Sequence, residues 1–90
     1  HPSVAILPAL LAAAELKGSN GRELIRAYVA GFETQSRLGR GVSRYQYTHG
    51  WHPTTTIGIF GAVGACSVML GLNTEQTTQA FSIATHMASG

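Results

Sequence analysis

The stretch HPTTTIGIFGAVGACSVMLGLNT, residues 52–74, decides the fold. From Pro53 to Thr74 it carries no charged residue, and it is long enough to span a bilayer. Small residues recur four apart in it, Gly58 with Ala62 and Gly61 with Ala65, a spacing that lets helices approach closely. Three consecutive threonines at its start, several glycines and no flanking cluster of Lys or Arg argue against a membrane span. The reading that remains is a central helix over about Thr54 to Leu70, buried on all sides in a large soluble protein. Gly71 is its stop.

Helical signals flank that stretch on both sides. The first helix is expected from about Pro2 to Leu16, ending near Gly18, with Pro8 kinking it or weakening one turn. A second starts at Asn20, which has capping-box spacing to Glu23. Leu24, Ile25, Tyr28, Val29 and Phe32 repeat at helical spacing and are expected to face inward. Glu33 and Arg37 pair in the favourable order, and Gly39 and Gly41 are expected to end this helix. Arg40 to Trp51 then reads as a loop dense in polar and aromatic side chains. A last helix begins near Asn73 or Thr74, with Ala80, Phe81, Ile83, Ala84 and Met87 at its apolar positions. The fold class is therefore all-α, about four helices, with residues 1–90 forming part of a larger helical domain.

Composition supports a segment rather than a free-standing domain. Charged residues are 11%, against a usual figure of about 25%, and apolar residues are 44%. A small domain has much surface to cover, and this chain has too little charge to cover it. Much of its surface is therefore expected to be buried against the remainder of its own subunit. The net charge of +2 is too small to argue for nucleic acid. The single Cys66, in an apolar run, excludes an internal disulfide framework and reads as a buried thiol. Ser3 to Ala14 lacks the basic start of a signal peptide and is broken by Pro8. The expected compartment is cytoplasmic, or mitochondrial in a eukaryote, with no membrane partner.

One dipeptide occurs twice, in His1-Pro2-Ser3 and His52-Pro53-Thr54, each ahead of a nearly uncharged helical run. Proline is favoured at the first helical position, where its missing N–H costs nothing. Each histidine is therefore expected at a helix N-terminus, whose free N–H groups and partial positive charge favour anions. Two such ends facing one cleft would suit a polycarboxylate, with the imidazoles as acid and base. Arg40 and Arg44 are candidates to clamp a carboxylate. The threonines 54–56 are expected chiefly to cap the third helix, with the Thr54 hydroxyl a candidate to reach a ligand.

Other constellations carry less. His49 and His52 are three apart, but no third metal ligand of matching character accompanies them, and no metal is expected. Arg37, Arg40 and Arg44 with Tyr45, Tyr47 and Trp51 could form a stacking patch for nucleic acid, yet three arginines in a nearly neutral chain do not make one. His86, among small residues, is expected to be a hydrogen-bonded core histidine.

The residues resemble the MmgE/PrpD family. His1-Pro2-Ser3, Leu7-Pro8-Ala9-Leu10 and Ala14-Glu15 look like one of its blocks, and Gly21 to Leu24 with Ala27 to Glu33 look like its next helix. Gly50-Trp51-His52-Pro53-Thr54, then Gly58, Phe60-Gly61-Ala62 and Leu70-Gly71-Leu72, form the most specific match, and Ala80 to Ala84 and Ser89-Gly90 continue it. The family includes 2-methylcitrate dehydratase, cis-aconitate decarboxylase and iminodisuccinate epimerase. The resemblance implies a lyase or isomerase that moves a proton next to a carboxylate with no metal, iron–sulfur cluster or other cofactor. It implies a small di- or tricarboxylate substrate, a homo-oligomer, and His1 and His52 as the catalytic histidines; Arg40, Arg44 and Thr54 remain candidate substrate contacts on their own chemistry. It also implies further catalytic groups outside these residues, so the isolated segment is expected to be inactive. The rival expectation is a non-catalytic helical module that buries its apolar surface in a partner chain.

Overall fold

The computed structural model describes the backbone of residues 1–90 and every side chain except that of Ser43. Five helices follow one another: α1 (Pro2–Lys17), α2 (Gly21–Thr48), α3 (Pro53–Thr56), α4 (Gly58–Met69) and α5 (Thr74–Met87). The fold is all-α, with no strand among the described residues.

Local chemistry sets most boundaries. Pro2 opens α1, and Gly18 closes it in the left-handed conformation at φ 74°, its N–H bonding Ala14 O at 2.9 Å. Pro8, expected to kink α1 or weaken one turn, lies within a single helix that runs from Pro2 to Lys17. Asn20 caps α2 in a full capping box, accepting from Glu23 N–H at 2.9 Å. Asn73 does the same for α5, accepting from Gln76 N–H at 2.8 Å.

Two boundaries differ from expectation. Gly39 and Gly41 do not end α2, and Arg40 to Thr48 is helix rather than loop. A glycine stops a helix by adopting positive φ, and the one that does so here is Gly50 at φ 87°. The 3–4-residue register Leu24, Tyr28, Gly31, Gln35, Leu38, Val42 passes straight through the two glycines. The third helix, expected to be continuous, breaks at Ile57 into α3 and α4. There the Thr55 and Thr56 hydroxyls bond back to His52 O at 2.9 and 3.3 Å. Such local bonds compete with regular helix, and a glycine follows at once.

α4 is the central element. It buries Gly58, Gly61, Gly64, Ala65, Ser67 and Met69. The core cluster joins Ala65 and Met69 to Ile6 and Leu10 of α1 and Ala27 of α2. Approach between α2 and α4 is at the level of the backbone: a Cβ on Gly31 would lie 2.6 Å from Gly61 O. That closeness explains a third difference. Ala27 and Gly31 face inward because only small residues fit, so Ile25, Val29 and Phe32 are turned out and are 66, 54 and 42% exposed. Cys66 is half-buried rather than buried. No helix is long and apolar enough to cross a membrane among the described residues.

Helix directions follow from which residues meet. Ala5 faces Gly58, Ile6 faces Gly61, and Ser19, just past α1, donates to Met69 Sδ at 2.8 Å. Residue numbers rise together, so α1 and α4 run parallel. In α2 the order is reversed, with Gln46 meeting Thr56, Gln35 meeting Gly61 and Gly31 meeting Ala65. α5 turns back along α4, Phe81 stacking on Phe60 with centroids 6.2 Å apart, and Gly90 O reaches His52 N–H at 3.0 Å.

Candidate active site

Parallel packing has one consequence for function. The N-termini of α1 and of the α3–α4 run lie at the same end of the bundle, and each is preceded by a His-Pro pair. His1 is the N-cap of α1 and His52 the N-cap of α3, and both are exposed. Neither imidazole makes a cap hydrogen bond to its own helix. Capping therefore does not account for either ring.

His52 is held by its main chain. Its N–H donates to Gly90 O at 3.0 Å, and its carbonyl accepts from the N–H groups of Thr55 and Thr56 at 3.0 and 3.1 Å. The backbone is thus fixed on both sides, while the ring makes no cap hydrogen bond among the described residues. Thr54, in the first turn of α3, is half-buried beside it. Four residues of helix give α3 little dipole of its own; the sixteen-residue α1 supplies more at this end.

The arginines are placed differently. Arg40 and Arg44 are exposed on the last turns of α2, one turn apart. From Gln46, which faces α3, they lie roughly 120–160° around the helix at 3.6 residues per turn. The bundle thus gathers His1, His52 and Thr54 at one end and turns Arg40 and Arg44 to the far side of α2. Among the described residues the ion pairs are Lys17–Glu23 at 3.4 Å and Arg37–Glu33 at 3.3 Å, and neither involves these two arginines.

Three further groups bear on the site. His49 is the C-cap of α2: its Nδ1 lies 2.8 Å from Tyr45 O, and its ring stacks on Tyr45 at 4.0 Å. Among the described residues no group of three or more His, Cys, Asp or Glu converges as a metal site would need. His86, expected in the core, is exposed in the last turn of α5; the buried position there is Ala84, two residues earlier. Gln46 was missed because the segment containing it read as loop. Its carbonyl accepts from Trp51 N–H at 2.8 Å, and its Oε1 accepts from the Thr56 hydroxyl. A cleft of about 450 Å³ between α2, α4 and α5, with Arg26, Ser67 and Phe81 in its wall, contains none of the predicted site residues.

The chain is 35% identical over 98 residues to a cis-aconitate decarboxylase-like protein, oryM, of Aspergillus oryzae, covering all of this chain and 20% of that protein. It is 34% identical over 89 residues to human cis-aconitate decarboxylase, covering 93% of this chain and 18% of the human protein. The Aspergillus terreus cis-aconitate decarboxylase is 29% identical over 96 residues, with 100 and 20% coverage. The chain thus spans about a fifth of the length of these relatives. No solved structure matches it at a significant level. The model of the MmgE/PrpD N-terminal domain matches residues 1–90, the whole chain, and the chain belongs to the MmgE/PrpD family.

Proposed function

We propose that this chain is the histidine-bearing part of a metal-independent lyase or isomerase that acts on a small di- or tricarboxylic acid. The observation that carries the proposal is the parallel packing of α1 and α4, which brings two His-Pro helix starts to one end of the bundle with both imidazoles unused by their caps. His52 serves as an acid/base group and His1 as a second proton-transfer or orienting group. The reaction removes or adds a proton at the carbon next to a carboxylate; in a decarboxylation, the electron pair left by departing carbon dioxide takes up that proton. Histidine suits the task because its proton exchanges near neutral pH. Free N–H groups at the start of α1 and the Thr54 hydroxyl offer polar contacts to the substrate carboxylates. Arg40 and Arg44 add positive potential to this end rather than a direct clamp.

The relatives' names make cis-aconitate the first acid to test and decarboxylation the first reaction. The chain works with the remainder of its subunit, which covers the apolar side chains turned outward, Ile25, Val29 and Phe32 among them, and supplies the remaining catalytic groups. Alone it is inactive. The subunit assembles as a homo-oligomer. The test is turnover by the full-length subunit of cis-aconitate, methylcitrate and iminodisuccinate, assayed separately in heavy water. The expected result is turnover of one of the three, with solvent deuterium at the carbon next to a carboxylate when the reaction is decarboxylation or epimerisation, and loss of that carbon's hydrogen when it is dehydration. Absence of turnover with all three, or a decarboxylated or epimerised product without deuterium, would contradict the proposal.

A further inference from the structure

We propose that Gln46 is a positioning residue for His52, acting through Thr56. The inference rests on the reading of His52 as an acid/base group and adds to it the device that holds its main chain in place. Residues 52–55 lie between two points fixed by the same residue of α2. On one side Trp51 N–H donates to Gln46 O at 2.8 Å; on the other the Thr56 hydroxyl donates to Gln46 Oε1. Among the described residues this is the side-chain hydrogen bond that joins α2 to α3. Gln46 is half-buried on a stretch of helix where its neighbours Tyr45 and Tyr47 are 65 and 75% exposed.

The Thr56 hydroxyl has one proton and two acceptors within reach, Gln46 Oε1 and, at 3.3 Å, His52 O. Bonded to Gln46, it ties the first turn of α3 to α2. Without the Gln46 side chain it turns to His52 O, already engaged by two N–H groups and the Thr55 hydroxyl, and among the described residues the Trp51 N–H bond to Gln46 O is the hydrogen bond that still ties this segment to Gln46. The core of Ile6, Leu10, Ala27, Ala65 and Met69 includes neither residue. Losing the bond therefore moves the histidine-bearing turn and leaves the bundle intact. Small misplacements of a catalytic group cost rate out of proportion to their size, on the order of 10²-fold for about 1 Å.

The experiment uses the full-length subunit with cis-aconitate as substrate. Gln46→Leu and Thr56→Val remove the acceptor and the donor; Gln46→Glu and Thr56→Ser keep them. The expected result is a fall in kcat of about 10-fold or more for the first two, with KM changed less than about twofold, in line with the cost of misplacement. The double variant should lose no more than either single one, because both remove the same bond. The conservative variants should stay within about threefold of the parent, as the bond is retained. Amide exchange, which needs no substrate, should quicken across residues 51–57 in Gln46→Leu and Thr56→Val and stay unchanged in α4. Unchanged exchange across 51–57, additive losses, or equal losses in the conservative variants would overturn the proposal. His52→Ala in the same subunit separates the two readings. If it abolishes turnover while Gln46→Leu and Thr56→Val retain it, positioning fails alone; if His52→Ala retains turnover, the acid/base reading fails first.

Discussion

Three glycines of α2 should respond oppositely to the same substitution. Gly39 and Gly41 lie inside the helix with open space where a Cβ would be, whereas a Cβ on Gly31 would sit 2.6 Å from Gly61 O and 2.8 Å from Ala65 Cβ. Alanine in a helix interior is favoured over glycine by about 0.8–1 kcal/mol. Gly39→Ala and Gly41→Ala should each stabilise the chain by about that amount, a rise in Tm of roughly 4–8 °C for a domain of this size. Gly31→Ala gains the same propensity and meets the α4 main chain. Ordinary contact begins near 3.4 Å, so α4 must retreat as a unit by most of an ångström. Overpacking of this kind costs about 1–3 kcal/mol, and a backbone atom as the obstacle puts the cost at the upper end. The net effect is a loss of about 2 kcal/mol, a fall in Tm of roughly 8–16 °C. Thermal unfolding of the chain by far-ultraviolet circular dichroism measures all three. Destabilisation by Gly41→Ala would refute the continuous α2; an unchanged Tm in Gly31→Ala would refute the close α2–α4 contact.

Two other perturbations have defined outcomes. Asn20→Ala and Asn73→Ala each remove a capping box and should cost about 1 kcal/mol apiece, additively because the caps belong to different helices; denaturant unfolding checks this. Burial pushes the Cys66 thiol up, so its thiolate is disfavoured in the folded chain. Alkylation should be slower than for a free thiol until the chain unfolds. The linked stability is complete below the ordinary thiol range and declines as pH rises through the elevated folded value, which pH-dependent unfolding would show.

Helix starts were legible because their signals are local. Pro2, Pro53, Asn20 with Glu23 and Asn73 with Gln76 act within one turn, and each opens a helix where the pattern says. Helix ends were legible only where glycine takes positive φ: Gly18 and Gly71 do, Gly39 and Gly41 do not, and residue type alone does not distinguish them. The inward face of α2 was misread because size, not hydrophobicity, chose it. Opposite Gly61 and Ala65 the small Ala27 and Gly31 permit close approach, which the larger Ile25, Val29 and Phe32 would block. For the site, the His-Pro pairs placed each histidine at a helix start. That they share one end depends on the parallel course of α1 and α4, a tertiary relation with no signature in local spacing. Gln46 was hidden by the same error that made its helix a loop.

The most direct test of the account is kcat for His52→Gln in the full-length subunit with cis-aconitate, set beside KM and Tm. Loss of a positioned acid/base group costs about 10²–10⁴ in rate. The account predicts a fall in kcat of that size, with KM changed little and Tm unchanged, because the exposed ring makes no bond that holds the fold. A kcat near that of the parent would contradict it, as would a loss that follows Tm rather than turnover.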